Sequence, residues 1–357
     1  DALENQERSE YADWYWIDQF DDPATSENEF KYTGWFGVQD MPEIRETTYH
    51  DFTEPVKAFE GNLYSESLKS HIFNVVERWL DPNGDGNPED GVDGFRLDVA
   101  AELPLGFWRD FRKKVRSVNP EAYLVGEVWW KAWPDKLLNP APFLEGDVFD
   151  AIMNYRWYRS LRHFLIVAPD SLQLSDALDS LEIYRSNTSL NNNHALMNLV
   201  SSHDTPRVLT SLFNRNPYKL NSDIESDTAY KVNKPDPHTH DLLKLLLLHQ
   251  FTYLGAPHIW AGDEMGMWGA DDPNCRKPLI WPEYSFEDEV CMPSGKKRKP
   301  DSVEMNRDIF YYYKQLISIR KQYPALRSGN FETEWYHNDS RIWIYSRKTK
   351  VHCMYII

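Results

Sequence analysis

The sequence has little cysteine and no excess of positive charge. Three cysteines among 357 residues make no disulfide framework, and their odd number leaves at least one thiol unpaired, although Cys275 and Cys291 can pair. The 39 Lys and Arg against 56 Asp and Glu give a formal net charge of −17. Such a surface repels nucleic-acid phosphate and anionic membranes, so we expect no nucleic acid among the partners.

Long hydrophobic runs are also missing. No stretch reaches the roughly 18 apolar residues of a membrane span. The most apolar one, residues 242–254, is interrupted by Lys244 and His249 and predicts a buried helix. The polar first residues, DALENQERSE, lack the apolar core of a signal peptide. We expect no membrane insertion. The oligomeric state stays open, as does the compartment, for which the periplasm or the outside of the cell is preferred.

Zinc-binding and phosphate-binding patterns are absent as well, whereas aromatic residues are plentiful. No His/Cys spacing suggests zinc, and no glycine-rich phosphate loop follows a predicted strand. Aromatic residues make up 14% of the chain and include 14 Trp. Aromatic rings stack on the apolar faces of sugars, so a carbohydrate site is one explanation for them. A tryptophan-rich core is the other.

Local patterns divide the chain into three segments. Residues 1–60 are rich in aromatic and turn residues and weak in periodicity, which predicts an irregular subdomain. Residues 61–328 alternate between apolar strands and helices, and residues 329–357 alternate like antiparallel strands. The predicted strands of the middle segment cover residues 92–100, 122–130, 148–155, 195–204 and 257–264. The predicted helices cover residues 65–80, 104–118, 157–165, 174–185, 241–254 and 303–322.

Alternating strands and helices predict an α/β fold with a parallel sheet. Polar residues gather at the carboxyl ends of the strands, as in the active site of a (β/α)8 TIM barrel. They are Arg96, Asp98, Glu127, Asn154, His203, Asp204, Asp263 and Glu264. A doubly wound sheet is the competing architecture, but it usually carries the glycine-rich phosphate loop that this sequence lacks.

Three of these strand ends carry the carboxyl groups that glycosidic hydrolysis needs. One acid protonates the leaving oxygen, a second carboxylate acts opposite it, and a third can stabilise the positive charge of the transition state. Asp98, Glu127 and Asp204 are the candidates. Asp98 and Glu127 are 29 positions apart, about one strand–helix unit, which predicts neighbouring strand ends. Taken singly, each carboxyl group is more simply a helix cap or a surface ion pair.

The neighbours of two carboxyl groups suggest different protonation states. Arg96 precedes Asp98 by two positions and therefore points to the same side of the strand, where its charge favours an ionised nucleophile. Trp129 and Trp130 follow Glu127 and are expected to desolvate it, which raises the pKa of a carboxyl group and suits a general acid.

An oxygen-rich loop before the strand at 92–100 resembles the start of a calcium-binding loop. Its side-chain oxygens recur at alternate positions, and Gly86 permits a sharp turn. The twelfth position is Val92, which excludes an EF-hand. A polar turn is the alternative to a structural Ca²⁺ site. The candidate ligands are Asp81, Asn83, Asp85, Asn87 and Asp90.

Several short motifs together resemble the α-amylase family, glycoside hydrolase family 13. Residues 94–98 have its form G-x-R-x-D, residues 126–129 its form G-E-x-W, and residues 202–204 its closing H-D. Residues 41–44 resemble the stretch near the end of the family's B domain. The runs 255–257, 262–264 and 272–278 are similar to the neopullulanase and cyclomaltodextrinase branch. Each piece is weak alone, but in this order they cover nearly the whole chain.

The resemblance implies a role for each residue that matches a motif. Asp98 is then the nucleophile, Glu127 the general acid/base and Asp204 the transition-state stabiliser. Arg96 orients Asp98, and His203 bonds the sugar at the point of cleavage. The resemblance offers Trp35, Trp129 and Tyr155 as stacking platforms for sugars, and a purely structural role is as good an explanation for these three.

The resemblance also implies how the chain is organised. The family's first conserved stretch is not found, and the predicted strands count as the fourth to the eighth of the barrel. Residues 1–60 then form the B subdomain, residues 61–328 the catalytic barrel without its first three strands, and residues 329–357 the start of the C-terminal β domain. We expect from this count that the chain is a fragment with little activity of its own.

The function implied is retaining hydrolysis of α-1,4 bonds in starch-derived oligosaccharides or cyclodextrins. Val99, after the nucleophile, accompanies α-1,6 activity in some members, so linkage stays open. Transglycosylation by the same residues is an alternative. A non-catalytic glucan-binding fragment is another, although such relatives usually lose a catalytic carboxylate, and all three are present here.

Overall fold

The computed structural model describes residues 1–48, 54–132, 136–167, 171–215 and 229–357. None of the helices in these ranges combines the length and apolar content needed to cross a membrane. The chain packs as two compact units, Asp1–Ile152 and Met153–Ile357. The segments predicted from sequence, 1–60, 61–328 and 329–357, remain predictions.

A small parallel sheet organises the first unit. The helices of this unit are α1 (Ala2–Asn5), α2 (Glu66–Leu80) and α3 (Leu105–Val118). The strands are β1 (Ile17–Gln19), β2 (Lys31–Tyr32), β3 (Gly94–Leu97), β4 (Tyr123–Gly126), β5 (Trp130–Ala132), β6 (Lys136–Leu137) and β7 (Ala151–Ile152). β3 pairs in parallel with β4, and β4 with β7. The pairs β1–β2 and β5–β6 are antiparallel.

Aromatic side chains attach α3 to this sheet. The ring of Phe111 on α3 lies 6.0 Å from that of Phe95 on β3, edge to face. Trp108, also on α3, contacts Phe149 in the same manner at 5.2 Å. Edge-to-face ring pairs stabilise beyond the apolar area they bury. The helix that connects β3 to β4 therefore packs on β3 and on Phe149, two residues before β7.

The second unit contains a shorter parallel pair and an antiparallel sheet. The helices are α4 (Tyr155–Arg162), α5 (Leu174–Ser186), α6 (Leu190–Ala195), α7 (Val208–Phe213), α8 (Pro237–Thr252), α9 (Arg307–Gln322) and α10 (Pro324–Ser328). The strands are β8 (Met197–Asn198), β9 (Ala256–Pro257), β10 (Glu289–Cys291), β11 (Lys297–Asp301), β12 (Asn330–His337), β13 (Ile342–Lys348) and β14 (Cys353–Ile356). β8 and β9 are parallel, whereas β10–β11 and β12–β13–β14 are antiparallel.

Buried polar contacts join α8 to the antiparallel sheet within this unit. Arg347 on β13 is fully buried and donates hydrogen bonds to the carbonyl oxygens of Thr252 (2.7 Å) and Tyr253 (2.6 Å). Those carbonyls lie at the end of α8, where a helix leaves its last acceptors unpaired. A cation at a helix C-terminus also suits the helix dipole. This arrangement holds β13 against α8.

The order and direction of the strands agree in most respects with those predicted from the sequence. Four of the five predicted strands occur, each shortened to two to four residues as β3, β4, β7 and β8, and the predicted antiparallel strands near the end are β12 to β14. The strand predicted at 257–264 is wrong in its bounds, because β9 covers Ala256–Pro257 and residues 258–264 form a loop and the start of a short helical turn. The described parallel strands form one three-stranded and one two-stranded sheet and do not close into a barrel. Their count as the fourth to eighth strands of a (β/α)8 barrel remains a prediction.

Candidate active site

Two of the predicted carboxylates follow adjacent parallel strands in the first unit. Leu97 is paired with Gly126 in the register of β3 and β4, so Asp98 and Glu127 occupy the next position on each strand. The backbone N–H of Glu127 donates to the Leu97 carbonyl at 2.9 Å, which continues the ladder by one bond. The structure thus places Asp98 and Glu127 side by side at the carboxyl end of the sheet.

Arg96 connects the two carboxylates. Its Nη1 atom contacts Asp98 Oδ1, and its Nη2 atom lies 3.1 Å from Glu127 Oε2. A guanidinium presents several donors in a fixed plane and can serve two carboxylates at once. One positive charge between two negative groups reduces the repulsion that would otherwise separate them.

Burial distinguishes these two carboxyl groups. The side chain of Asp98 is 71% exposed, whereas that of Glu127 is 11% exposed. Glu127 Oε2 also accepts a hydrogen bond from the Val99 backbone N–H at 3.0 Å. Val99 has a left-handed backbone (φ 41°), a conformation that a β-branched residue rarely adopts and that costs on the order of 1–3 kcal/mol. The turn after Asp98 is therefore strained in a way that directs an N–H toward Glu127.

The predicted stacking platforms differ in exposure. Trp129 is 6% exposed and stacks on Trp130 with ring centroids 4.5 Å apart. Tyr155, in the second unit, is 2% exposed. Burial of both rings favours the structural role that the sequence left open. Trp35 is half-buried and contacts the ring of Phe36, which is half exposed. Phe36 is an exposed ring that the sequence did not single out.

His203 and Asp204 form a second polar cluster, in the second unit. His203 Nε2 lies 3.1 Å from Asp204 Oδ2, and Arg276 Nη2 lies 3.5 Å from Asp204 Oδ1. Arg276 also donates from Nε to the His203 carbonyl at 3.1 Å and forms an ion pair with Asp272 at 2.6 Å. Arg276 was not among the predicted site residues, although it lies in the motif run 272–278 that would have pointed to it.

A buried ion pair supports this second cluster. Asp263 and Arg207 are 1% exposed and their charged atoms lie 3.1 Å apart. Burial raises the pKa of Asp263 to about 6, against the opposing effect of the Arg207 charge. Arg207 also donates to the Cys275 carbonyl at 2.9 Å, next to Arg276. Asp263 was predicted at a strand end but begins the short helical turn Asp263–Met265, six residues after β9. It pairs with Arg207, and Arg207 in turn contacts the loop of Arg276.

Asn154 and the cysteines have structural surroundings too. Asn154 caps α4 by accepting the Trp157 N–H, and its amide donates to Asn198 at 2.8 Å. Cys275 is buried and Cys291 exposed, and both are free thiols, so the pairing left open by the sequence does not occur.

The oxygen-rich loop at residues 81–90 is organised by its own backbone. Asp81 accepts hydrogen bonds from the N–H groups of Gly84 (2.9 Å) and Gly86 (2.8 Å). Asn83 accepts one from Asp85, and Asp85 one from Asn87, each at 2.8 Å. Asp90 ends the short helical turn Pro88–Asp90. Within the described ranges, no three His, Cys, Asp or Glu side chains form a group that could hold a metal ion. The loop precedes β3, at the opposite end of that strand from Asp98.

Comparison with known proteins finds one matching family and several similar relatives. The family described as Alpha amylase, catalytic domain, matches residues 1–329. Neopullulanase 2 of Thermoactinomyces vulgaris is 33% identical over 348 residues, which are 97% of this chain and 45% of that protein. A cyclomaltodextrinase of Geobacillus thermopakistaniensis is 32% identical over 330 residues, 92% of this chain and 43% of that protein.

A solved structure agrees with these relatives. A cyclomaltodextrinase superposes with a TM-score of 0.68 and 28% sequence identity, over 100% of this chain and 48% of that one. This chain therefore spans less than half the length of these three relatives.

Proposed function

The chain belongs to the α-amylase family, and on that premise we propose that it carries the catalytic residues of a retaining α-glucan hydrolase. The proposal rests mainly on one observation. Asp98 and Glu127 follow adjacent parallel strands and share the guanidinium of Arg96. An isolated carboxylate at a strand end has many explanations, whereas two joined by one arginine form a unit suited to acid and nucleophile chemistry.

Asp98 is the proposed nucleophile. Its exposed carboxylate can approach the anomeric carbon, and its contact with Arg96 orients it. Attack forms an ester between Asp98 and the sugar while the glycosidic bond breaks and its oxygen takes a proton from Glu127. Water then attacks the anomeric carbon, gives a proton to Glu127 and releases Asp98.

Glu127 is the proposed general acid/base because it is largely buried beside the nucleophile. Once it has given its proton, the resulting carboxylate is stabilised by Arg96 and by the Val99 N–H. That carboxylate is the base required by the second step.

Asp204 is the proposed transition-state stabiliser, with His203 as a sugar ligand. Their mutual contact and the nearby Arg276 supply a charged hydrogen-bonding cluster of the kind that holds sugar hydroxyls. We extend the proposal to Arg276 as a binding residue. Trp35 remains a proposed stacking platform, and Trp129 and Tyr155 are weaker candidates because both are buried.

The proposed substrates are α-1,4-linked, and also α-1,6-linked, glucose oligosaccharides or cyclodextrins. The names of the relatives, neopullulanase and cyclomaltodextrinase, support this class. Transglycosylation is the second candidate, since a sugar hydroxyl can replace water at the Asp98 ester. Analysis of the products from one oligosaccharide distinguishes the two, because transfer gives chains longer than the substrate.

The assignment is tested in the full-length protein with Asp98→Asn and Glu127→Gln. Loss of a general acid/base costs about 10²–10⁴-fold in rate, and loss of the nucleophile is expected to cost at least as much. Asp93→Asn, directly before the same strand, and Glu145→Gln, both at exposed positions, are matched controls that should keep full activity. NMR should show the α-anomer as first product. Activity in Asp98→Asn, or a β-anomer, would contradict the mechanism.

We also propose that Ca²⁺ stabilises the loop Asp81–Asp90, through Asp81, Asn83, Asp85, Asn87 and Asp90. The number of side-chain oxygens in one short loop supports the ion, and the internal hydrogen bonds of the loop support the polar turn. Unfolding temperatures in EDTA and in added Ca²⁺ decide between them. We expect a higher temperature with Ca²⁺, a difference that Asp85→Asn abolishes and the exposed Asp179→Asn keeps. Equal temperatures for the unmodified protein would exclude the site.

A further inference from the structure

An open cleft of about 350 Å³ lies next to the β10–β11 pair in the second unit, and we call it the side cleft. Two short segments, residues 277–280 and residues 286–289, supply most of its lining. They contribute Lys277, Pro278, Ile280, Phe286, Glu287 and Glu289. None of these six residues belongs to the set proposed for catalysis.

Three of the lining side chains are charged and can bond to hydroxyl groups. Lys277 Nζ donates to both carboxylate oxygens of Glu289, at 2.8 and 2.7 Å, and Glu287 is exposed. The side chains of Lys277 and Glu289 are 31% and 26% exposed, so a molecule in the cleft can reach them. An ammonium group has three donors and a carboxylate about four acceptor positions, so this ion pair keeps hydrogen-bonding capacity for a ligand.

The other part of the lining is apolar and is held by the core. Ile280 and Met267 are buried in one hydrophobic cluster, and Phe286 and Val303 pack against it. The side cleft therefore offers apolar surface together with a few charged hydrogen-bonding groups. A sugar ring matches such a lining, because it has apolar faces and a rim of hydroxyl groups.

A turn between the two lining segments carries two exposed aromatic rings. The Tyr284 N–H donates to the Trp281 carbonyl at 3.1 Å, which closes a β-turn and brings both residues to its base. Trp281 is 48% exposed and Tyr284 is 70% exposed. Ile280 and Phe286, which flank the turn, belong to the core cluster and anchor it. The turn thus presents two large rings beside the side cleft, each with an apolar face and a polar end.

We propose that the side cleft and the turn at residues 281–284 form an accessory binding site for an α-glucan chain. The inference rests on the proposed function, which supplies the class of ligand. The chain from Arg276, the proposed sugar ligand beside Asp204, to Trp281 spans at most about 18 Å even when fully extended. A long glucan held at the accessory site is therefore present at high effective concentration near the proposed catalytic residues.

Electrophoresis of the full-length protein in gels that contain amylopectin measures binding to the accessory site. The protein carries Asp98→Asn so that the polysaccharide stays intact. In this background we expect the Kd for amylopectin to rise about tenfold in Trp281→Ala/Tyr284→Ala, which removes both rings, and in Val303→Phe, which fills the cleft. Trp79→Ala, a similarly exposed ring in the first unit, is the control and should be retarded like its parent.

Hydrolysis of maltotriose separates this proposal from the proposed function. With Asp98 restored, kcat/KM of the same variants for maltotriose should stay within about twofold, because a trisaccharide bound at the catalytic residues gains nothing from the accessory site.

Two results would overturn the accessory site while the proposed function stands. One is unchanged retardation of both variants, and the other is no retardation at all of a protein that hydrolyses maltotriose. Unchanged retardation with an altered oligomeric state of Trp281→Ala/Tyr284→Ala in sedimentation would identify the turn as a protein contact instead. A protein that is retarded through these residues but hydrolyses no α-glucan would overturn the proposed function alone.

Discussion

The acidic side chains of this protein differ widely in burial and in neighbouring charge. Asp98 is exposed and shares Arg96 with the largely buried Glu127. Asp263 is buried against an arginine, whereas Glu46 is 2% exposed and lies near two further carboxyl groups. The cost of ionising a carboxyl group depends on water and on nearby charge, so the same chemical group can suit different roles, among them those proposed for Asp98 and Glu127.

Glu46 leads to a prediction about stability and pH. Burial, and then the charges of Glu43 and Glu102, raises the pKa of Glu46 from 4.5 to about 9. The folded state thus holds a proton that the unfolded chain releases. The stabilisation is complete below the unfolded value and is lost as pH rises through the folded value, by at most about 1.4 kcal/mol per pH unit.

Glu46→Gln is neutral at every pH and should remove this decline. Urea unfolding of both proteins between about pH 5 and pH 9 measures it. We expect the free energy of unfolding of Glu46→Gln to fall less steeply over this range. Glu7→Gln, at an exposed position, should follow the unmodified protein. Parallel pH profiles for the two proteins would show that Glu46 holds no such proton.

The backbone at the end of β4 lies very close to the ring of Phe149. A Cβ atom at Gly126 would lie 2.4 Å from Cε2 of the Phe149 ring. Glu127 follows directly, so the absence of a side chain at Gly126 lets the strand end lie against Phe149 and presents the carboxyl group beside Asp98. The packing of the end of β4 against Phe149 thus helps to set the position of the proposed acid, Glu127.

Gly126→Ala is therefore expected to displace either the ring or the strand end. Overpacking of this kind costs about 1–3 kcal/mol in stability, and a shifted Glu127 should lower kcat more than it raises KM. Phe149→Leu in the same chain should restore part of both. Gly295→Ala is the control for activity, because nothing lies within 4 Å of the new Cβ and its left-handed backbone (φ 80°) gives a loss of stability that does not involve Glu127. Full activity in Gly126→Ala would show that the close approach is unimportant.

Acidic residues dominate the chain as a whole. The net charge of −17 opposes binding of polyanions but has no first-order effect on a neutral sugar. Membership of the α-amylase family and an acidic composition are therefore compatible.

A neutral substrate predicts kinetics that are insensitive to salt. Between about 20 mM and 500 mM NaCl, kcat/KM of the full-length protein for a maltooligosaccharide should change less than about twofold, because no long-range attraction is screened. A sulfated oligosaccharide is the matched comparison and should bind better as salt increases. A steep fall of kcat/KM with salt for the neutral substrate would indicate a charged ligand instead.

Local patterns predicted more of the fold than of the site. Four of the five parallel strands and the final antiparallel strands follow from apolar periodicity, which depends on near neighbours in the sequence. The ends of the strands were less predictable, because each ends where a partner strand stops pairing. The adjacency of Asp98 and Glu127 followed from their spacing, whereas the contact of Arg276 with Asp204 joins residues 72 positions apart.

The sequence by itself determined the family, the order of the strands and the residues proposed for catalysis, because motifs and periodicity are properties of short stretches. Only the tertiary structure decided which rings are buried, as for Trp129 and Tyr155, and which groups share a partner, as for Arg96. It alone revealed that rings from α4 and β13, together with Tyr253 just after α8, surround His249. Burial and partnership depend on the packing of segments far apart in the chain, and no local pattern contains that information.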